Sequence, residues 1–240
     1  MIREGRRVLV FSAHAADFCS RAGGAIMRLL EVGGNVQVHT LTYGERCESP
    51  ALWTRDPKPT LEEVRSIRKQ EIEGASEVMG VRTSCFDFGD SPLVLGPDRR
   101  LQIIEAIREF RPDLVLTHWI NDLMHPDHVE TTQAVLWACS YCNAGGIETA
   151  HEPCPRPELV CYETTIGTVP ISDFVPDLYV DITSVFDRKT EALKHFAAQP
   201  PLPEIYEVLG RYRGIEAQHC AGMDCRYAEG FARIGKQPVG

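Results

Sequence analysis

The sequence has no apolar stretch long enough to span a membrane, because its hydrophobic runs are short and are interrupted by charged residues. Basic residues are also few: 25 Lys and Arg stand against 34 Asp and Glu, which gives a formal net charge of −9. Because phosphate backbones are bound by clustered Lys and Arg, this balance argues against a nucleic-acid partner. We therefore expect a protein that binds neither a membrane nor nucleic acid.

The nine cysteines lack the even number and the regular spacing of a disulfide framework. In a chain of 240 residues, scattered cysteines fit a reducing cytoplasm better than an oxidising compartment. Cys139 and Cys142 have CxxC spacing, but no second pair follows at zinc-finger distance, so ordinary thiols are favoured over a metal or redox pair. No internal repeat or low-complexity tract divides the chain, and we expect one domain over residues 1–240.

Segments with strand and helix patterns alternate along the chain. Short apolar or alternating runs predict strands at 8–11, 35–42, 84–88, 114–117, 159–162 and 178–182. Amphipathic periodicity predicts helices at 21–31, 61–79, 98–110, 126–139, 184–198 and 204–218, and Pro126 suits the first turn of the fourth helix. Thr60 and Glu63 form a capping box before the second helix, and Gly80 ends it. This alternation is typical of an α/β protein with a parallel sheet and right-handed crossovers.

Polar side chains follow two of the apolar runs. The run at 8–11 leads into His14 and Asp17, and the run at 114–117 leads into a segment that ends in His125, Asp127 and His128. Open α/β sheets place their chemistry beyond the carboxyl ends of the strands, so the two turns converge if both strands are central and adjacent. His14, Asp17 and His128 would then supply two imidazoles and one carboxylate to a metal, with positions left open for water and substrate.

Each of these three residues also has an ordinary structural interpretation. His14 could end a strand, Asp17 could N-cap the next helix, and His128 could lie at the surface. The occurrence of His and Asp in both turns favours a metal site, with Zn²⁺ as the expected ion and another divalent metal as the alternative. The neighbouring His125 and Asp127 could orient a ligand or carry protons.

These motifs resemble those of the PIG-L (LmbE-like) family of zinc-dependent de-N-acetylases, in which a strand is followed by His-x-x-Asp and later by His-Pro-Asp-His. Other similar positions extend over nearly the whole chain: Gly23-Gly24, Arg68-x-x-Glu71, Asp90, Asp181-Ile182, Lys189, Gln199 and residues 227–231. The resemblance implies a Rossmann-like three-layer fold with a mostly parallel central sheet. It implies zinc ligation by His14, Asp17 and His128. It also implies that His125 stabilises a tetrahedral intermediate or donates a proton, with Asp127 tuning it.

The chain departs from the deacetylase pattern beside the first histidine. The family's deacetylases have Pro and Asp there, and that Asp is the general base, whereas this chain has Ala15 and Ala16. Loss of a general base costs about 10²- to 10⁴-fold in rate, so ordinary amide hydrolysis would be badly impaired. The segments 14–18, 21–26, 43–49 and 52–53 instead resemble the branch of the family whose known activity is 4-oxalomesaconate hydratase.

Hydration of an activated double bond fits this substitution, because the developing charge is an enolate that a metal can stabilise as a Lewis acid. Glu48 is the candidate proton carrier, with His125 as the second, although Glu48 could equally be a solvated loop carboxylate. Arg46 and Arg21 are candidates to bind substrate carboxylates bidentately, or could serve solubility alone. We therefore expect a small anionic carboxylate substrate, and we expect the protein to form a homo-oligomer.

Two other functions stay open on the sequence. The first is a zinc-dependent deacetylase of a small N-acetyl sugar or amide that recruits its base from Asp122 or Glu48. The second is a metal-binding protein without catalysis, which loss of the base would permit. Retention of His125 and Asp127 argues against the second function.

Overall fold

The computed structural model describes residues 1–234. The strands are β1 (Arg7–Ser12), β2 (Asn35–Thr40), β3 (Arg82–Cys85), β4 (Leu114–His118), β5 (Glu158–Tyr162), β6 (Leu178–Asp181) and β7 (Ala228–Arg233). The helices are α1 (Asp17–Glu31), α2 (Pro50–Trp53), α3 (Leu61–Met79), α4 (Pro97–Phe110), α5 (Pro126–Tyr141), α6 (Val169–Ser172), α7 (Phe186–Lys194) and α8 (Leu202–Ala221). Within residues 1–234, no helix is both long and apolar enough to cross a membrane.

The strands form one sheet in the order β3-β2-β1-β4-β5-β7-β6. The first five strands of this order are parallel, whereas β7 runs antiparallel to both β5 and β6. β1 and β4 lie side by side, with Val8 opposite Leu114 and Val10 opposite Leu116. The chain leaves β1 toward β2 and leaves β4 toward β5, so the crevice of the sheet opens between the carboxyl ends of β1 and β4. The predicted α/β class and mostly parallel sheet are confirmed.

Side chains of β1 point alternately into two hydrophobic layers, as the period of a strand requires. Val8 and Val10 pack with residues of α1, α3, α7 and α8 on one face of the sheet. Leu9 and Phe11 pack with residues of α4 and α5 on the other face. Because both faces are covered, β1 is apolar at consecutive positions, and this is the signal by which the sequence identified it.

Local signals fix the ends of the long helix α3. The Thr60 side chain accepts from the Glu63 N–H, while the Glu63 carboxylate accepts from the Thr60 N–H, so the predicted capping box is present. Gly80 follows the helix in the left-handed region at φ 72°. Both ends of α3 are where the sequence placed them.

Several elements differ from the sequence prediction. The short helices α2 and α6 were not predicted, and the helix predicted at 184–198 is α7, which ends at Lys194. α1 begins at Asp17 rather than at residue 21, and β3 covers 82–85 rather than 84–88. β7 was not predicted, since Glu229 and Gly230 interrupt its apolar pattern. Glu229 is nevertheless buried, because its carboxylate accepts from the Gly24 and Ala25 N–H groups at 2.8 Å each. A polar residue inside this strand therefore serves to hold α1.

Candidate metal and proton-transfer site

The two polar turns predicted from the sequence do meet, at the crevice between β1 and β4. The His14 ring lies 5.2 Å from the ring of His128 and 4.9 Å from that of His125, measured between centroids. His125 and His128 stack at 3.8 Å with an interplanar angle of 9°. His14 and His128 are fully buried. The alternative that His128 is a surface residue is therefore wrong.

Two buried imidazole nitrogens at this site, His14 Nδ1 and His128 Nε2, have no hydrogen-bond partner among residues 1–234. Both face the carboxylate of Asp17, at 3.3 Å from Oδ2 and 3.5 Å from Oδ1 respectively. Tetrahedral ligands bonded to zinc at about 2.0–2.1 Å lie about 3.3 Å from one another, so these separations fit one shared metal ion. The donor set fits zinc, and His14, Asp17 and His128 are the residues that would hold it.

The other nitrogen of each histidine is fixed by a carboxylate. His128 Nδ1 lies 2.8 Å from Asp122 Oδ2, which also accepts from the Thr165 N–H and hydroxyl at 2.9 Å each. His14 Nε2 lies 3.2 Å from Asp127 Oδ2, whereas the resemblance implied that Asp127 tunes His125. Such acceptors set the tautomer and orientation of a ligating imidazole. Asp122 and Asp127 thus orient the two histidines toward Asp17.

Backbone N–H groups hold one carboxylate of each polar turn in place. Asp17 Oδ2 accepts from the His14 N–H at 2.8 Å, and the N-cap of α1 is Ala16, without a side-chain cap. The N-cap role for Asp17 is therefore wrong. Asp127 accepts from the N–H groups of Ser91 and Leu93 at 2.9 Å each.

The ionisation of these groups follows from their contacts. Burial opposes charge on His14, but the neighbouring carboxylates of Asp127 and Asp17 outweigh burial and raise its pKa well above the usual value. Burial also opposes charge on Asp17, but the nearby His128, His118 and His14 hold its pKa well below the usual value. The pKa of His128 is lowered, chiefly by burial. Because a metal and a proton compete for the same imidazole nitrogen, metal binding at His14 must release a proton.

Glu48 lies in the turn after β2 and faces the same crevice. Its Oε1 is 2.9 Å from Nε2 of the half-buried His125, and its Oε2 accepts from the side-chain amide of Gln199. Burial raises the pKa of Glu48, but the hydrogen bond to His125 prevails and the net shift is downward. One ligand atom from each of His14, Glu48, His125 and His128 lies within 4.8 Å of the others. An ionised carboxylate and an imidazole are thus paired next to the metal ligands.

The approach of this turn to β1 requires glycine at position 44. Gly44 has φ +67°, and a Cβ there would lie 2.9 Å from the Cβ of Glu48 and 3.1 Å from that of His14. An L side chain would be strained by the backbone angle and blocked by both neighbours. Gly44 therefore lets the catalytic candidate Glu48 come beside the metal ligand His14.

The two arginines that the sequence offered as substrate ligands have different surroundings. Arg46 is exposed, and its Nη1 donates to the Asp90 carbonyl at 2.7 Å. Arg21 is buried, with Nη1 on the Glu163 carbonyl at 2.8 Å and Nε 3.5 Å from Asp17 Oδ1. Arg46 keeps donors available to a ligand, whereas Arg21 faces groups of the protein. Substrate binding by either arginine stays a prediction.

Two residues near the site had no role assigned from the residues alone. His118, at the end of β4, accepts from the Ala13 N–H through Nε2 at 2.9 Å and so fixes the start of the His14 turn. Gln199 contacts Glu48 across 151 positions of sequence. The strand-end position of His118 could have indicated it, but spacing carries no signal for Gln199.

Known proteins are similar to this chain over almost its whole length. A 4-oxalmesaconate hydratase from Pseudomonas putida is 32% identical over 95% of this chain and 89% of its own length. A diacetylchitobiose deacetylase from Thermococcus kodakarensis is 27% identical over 94% of this chain and 82% of its own length. The crystal structure of 4-carboxy-2-hydroxymuconate hydratase from P. putida superposes with a TM-score of 0.92, 31% identity and 98% coverage of both chains.

The family model for PIG-L, described as GlcNAc-PI de-N-acetylase, matches residues 9–139. This range contains most of β1, all of β4 and the three candidate metal ligands. Together with the similarity to the hydratases over the full fold, it shows that the chain belongs to the PIG-L family.

Proposed function

We propose that the protein is a zinc-dependent hydratase that adds water to the double bond of 4-oxalomesaconate, giving 4-carboxy-4-hydroxy-2-oxoadipate, in the catabolism of aromatic acids such as gallate. The observation that carries the proposal is the location of the acid/base pair. Ala16 stands beside the ligand Asp17, where a deacetylase has its base, while a carboxylate and an imidazole, Glu48 and His125, face the crevice from elsewhere, 2.9 Å apart. The similarity in sequence and in fold to the P. putida hydratase supports the same function.

The Glu48–His125 pair suits proton transfer in hydration. Glu48 is ionised and can take a proton from the attacking water at Oε1, the oxygen that contacts His125 Nε2. His125 can deliver a proton to the carbon that becomes carbanionic, because no amine leaving group competes for it. The proton held by Glu48 Oε1 then passes to His125 Nε2, 2.9 Å away, which restores both groups. A bound zinc ion supplies Lewis-acid stabilisation of the negative charge that develops on the oxygens of a 2-oxo acid.

Arg46 is the proposed contact for a substrate carboxylate. Arg46 is exposed and lies on the same turn as Glu48. Its backbone N–H donates to the Asp90 carboxylate at 3.0 Å, which holds the turn in place. In a protein with a net charge of −9, a polycarboxylate needs such local positive charge to offset repulsion. The nine free thiols support a cytoplasmic location.

The experiment that tests this function compares two reactions on one preparation. The purified protein is incubated with 4-oxalomesaconate and, separately, with a panel of N-acetyl sugars, each with and without a chelator. We expect chelator-sensitive hydration and no comparable release of acetate. Efficient cleavage of an N-acetyl sugar would instead favour the deacetylase, in which Glu48 would be the base, because Asp122 is engaged by His128 and Thr165. Metal binding without either reaction would favour a non-catalytic protein.

A further inference from the structure

A buried ion pair on α3 lies behind Glu48 and takes no part in the proposed reaction. Arg68 is fully buried, and its Nη1 donates to Glu71 at 2.6 Å. Glu71 also accepts from the Ala198 N–H at 2.8 Å, and Arg68 Nε donates to the Tyr43 carbonyl at 3.1 Å. The pair thus links α3 to two separate segments, the turn that carries Glu48 and the segment that carries Gln199.

Gln199 joins those two segments directly. Its Oε1 accepts from Arg68 Nη2 at 3.3 Å, while its Nε2 donates to Glu48 Oε2. A guanidinium has donors and no acceptor, so the amide oxygen must face Arg68, and the amide NH₂ must then face Glu48. An ionised carboxylate has acceptors and no donor, so this orientation suits the ionised form of Glu48.

The consequence is that the two oxygens of Glu48 are not equivalent. Oε2 accepts from the Gln199 amide, while Oε1 lies 2.9 Å from His125 Nε2 at the crevice. A carboxylate held at one oxygen cannot rotate its other oxygen away from the imidazole without breaking the Gln199 contact. Fixing a base in this way keeps it within hydrogen-bond reach of the proton that it takes.

We propose that Gln199, oriented by Arg68 and Glu71, is a positioning residue that holds Glu48 so that Oε1 is the oxygen that exchanges the proton. This inference rests on the proposed function, because it assigns a task to Glu48 in that reaction. Gln199 acts through Glu48 alone and contacts neither the metal ligands nor, in our proposal, the substrate. Its removal should therefore slow the chemical step without weakening substrate binding.

The test is a double-mutant cycle in the zinc-loaded enzyme with 4-oxalomesaconate. Gln199→Leu removes the amide at nearly constant volume and is expected to lower kcat by about 10- to 100-fold, with KM within about twofold. Glu48→Gln is expected to lower kcat further. In the Glu48→Gln background, Gln199→Leu is expected to have no additional effect on kcat, because the group on which it acts is gone. A matched control is Gln218→Leu, at an exposed position of α8, which should leave kcat unchanged.

Each failure has its own signature. If Glu48→Gln keeps the wild-type kcat, the proposed function loses its acid/base residue. If Glu48→Gln is impaired but Gln199→Leu keeps the wild-type kcat, the positioning proposal is overturned and the proposed function stands. Equal losses from Gln199→Leu in both backgrounds would show a general structural role and would also overturn it. Should the Leu variant fail to fold, Gln199→Asn, whose stem is about 1.5 Å shorter and cannot span both partners, replaces it with the same expected results.

Discussion

Ala16 stands at the position where a deacetylase of the family has its general base. Its methyl group is buried in the main hydrophobic cluster, next to the metal ligand Asp17 in sequence. In the proposed reaction, Glu48 takes the role of the carboxylate that a deacetylase would carry there, and it reaches the crevice from the turn after β2. The proposed base thus has a different location relative to the candidate ligands, and this suits attack of water on carbon rather than on an amide.

Restoring a carboxylate at position 16 should impair hydration. Ala16→Asp adds a negative charge next to Asp17 in the chain, and an anionic substrate would be repelled. We expect kcat/KM for 4-oxalomesaconate to fall by at least about tenfold, which corresponds to ~1.4 kcal/mol in the barrier. The matched control is Ala16→Asn, which has the same shape without the charge. Equal activities of the Asp and Asn variants would contradict the electrostatic explanation.

Arg46 should contribute to substrate binding rather than to the chemical step. Arg46→Ala removes an exposed guanidinium and is expected to raise KM by about tenfold with kcat little changed, as loss of uniform binding does. Arg211→Ala, on the exposed face of α8, is the control for the general loss of one positive charge. Steady-state kinetics at two salt concentrations measure kcat and KM for both variants. A fall in kcat at constant KM would mean that Arg46 acts in the transition state instead.

At the scale of elements, the site depends on how closely α1 approaches the far edge of the sheet. Gly24 lies in the middle of α1, and a Cβ there would be 2.4 Å from Ile182 Cγ2. Its N–H donates to the buried Glu229 of β7, which also accepts from Lys189 Nζ at 2.7 Å. Glu229, near the other end of the chain, therefore helps to hold α1, and the first turn of α1 carries the candidate ligand Asp17.

Replacing this glycine should destabilise the fold. Gly24→Ala places a methyl group where Ile182 already lies, and overpacking of this kind costs about 1–3 kcal/mol. In a protein of this size, each kcal/mol lowers Tm by about 2–4 °C. Gly146→Ala, at a position with no atom within 4 Å of the added Cβ, is the control and should leave Tm almost unchanged. A Tm for Gly24→Ala equal to that of the control would show that α1 can shift away from Ile182 at little cost.

At the scale of the whole molecule, the sequence predicted the features that depend on neighbouring residues. It did not predict those that depend on contacts between residues far apart in the chain. β1 and β4 were predictable because a strand buried on both faces is apolar at every position, and the ligands follow directly in the chain. The start of α1 was missed because its first turn, with Asp17, Phe18, Cys19 and Ser20, mixes polar and apolar residues and lacks a side-chain cap. β7 was missed because Glu229 interrupts its apolar pattern, although this residue is buried through its hydrogen bonds to α1. Gln199 could be given no role from spacing, since its partner Arg68 lies 131 positions away.

A metal held by His14, Asp17 and His128 would join segments from both halves of the sheet, so its removal is expected to lower the stability of the whole fold. His14 and Asp17 follow β1 and His128 follows β4, and an ion held by all three binds the folded state alone. A ligand present at 100 times its Kd stabilises the folded state by about 2.7 kcal/mol, and this corresponds to about 5–10 °C in Tm. We expect a chelator to lower the Tm of the wild type by this amount and added Zn²⁺ to restore it.

His128→Ala should hold less than one zinc per chain by elemental analysis, and its Tm should not respond to the chelator. One tightly held zinc in that variant would refute the ligand set, because the vacated nitrogen is one of the two buried atoms that define the site.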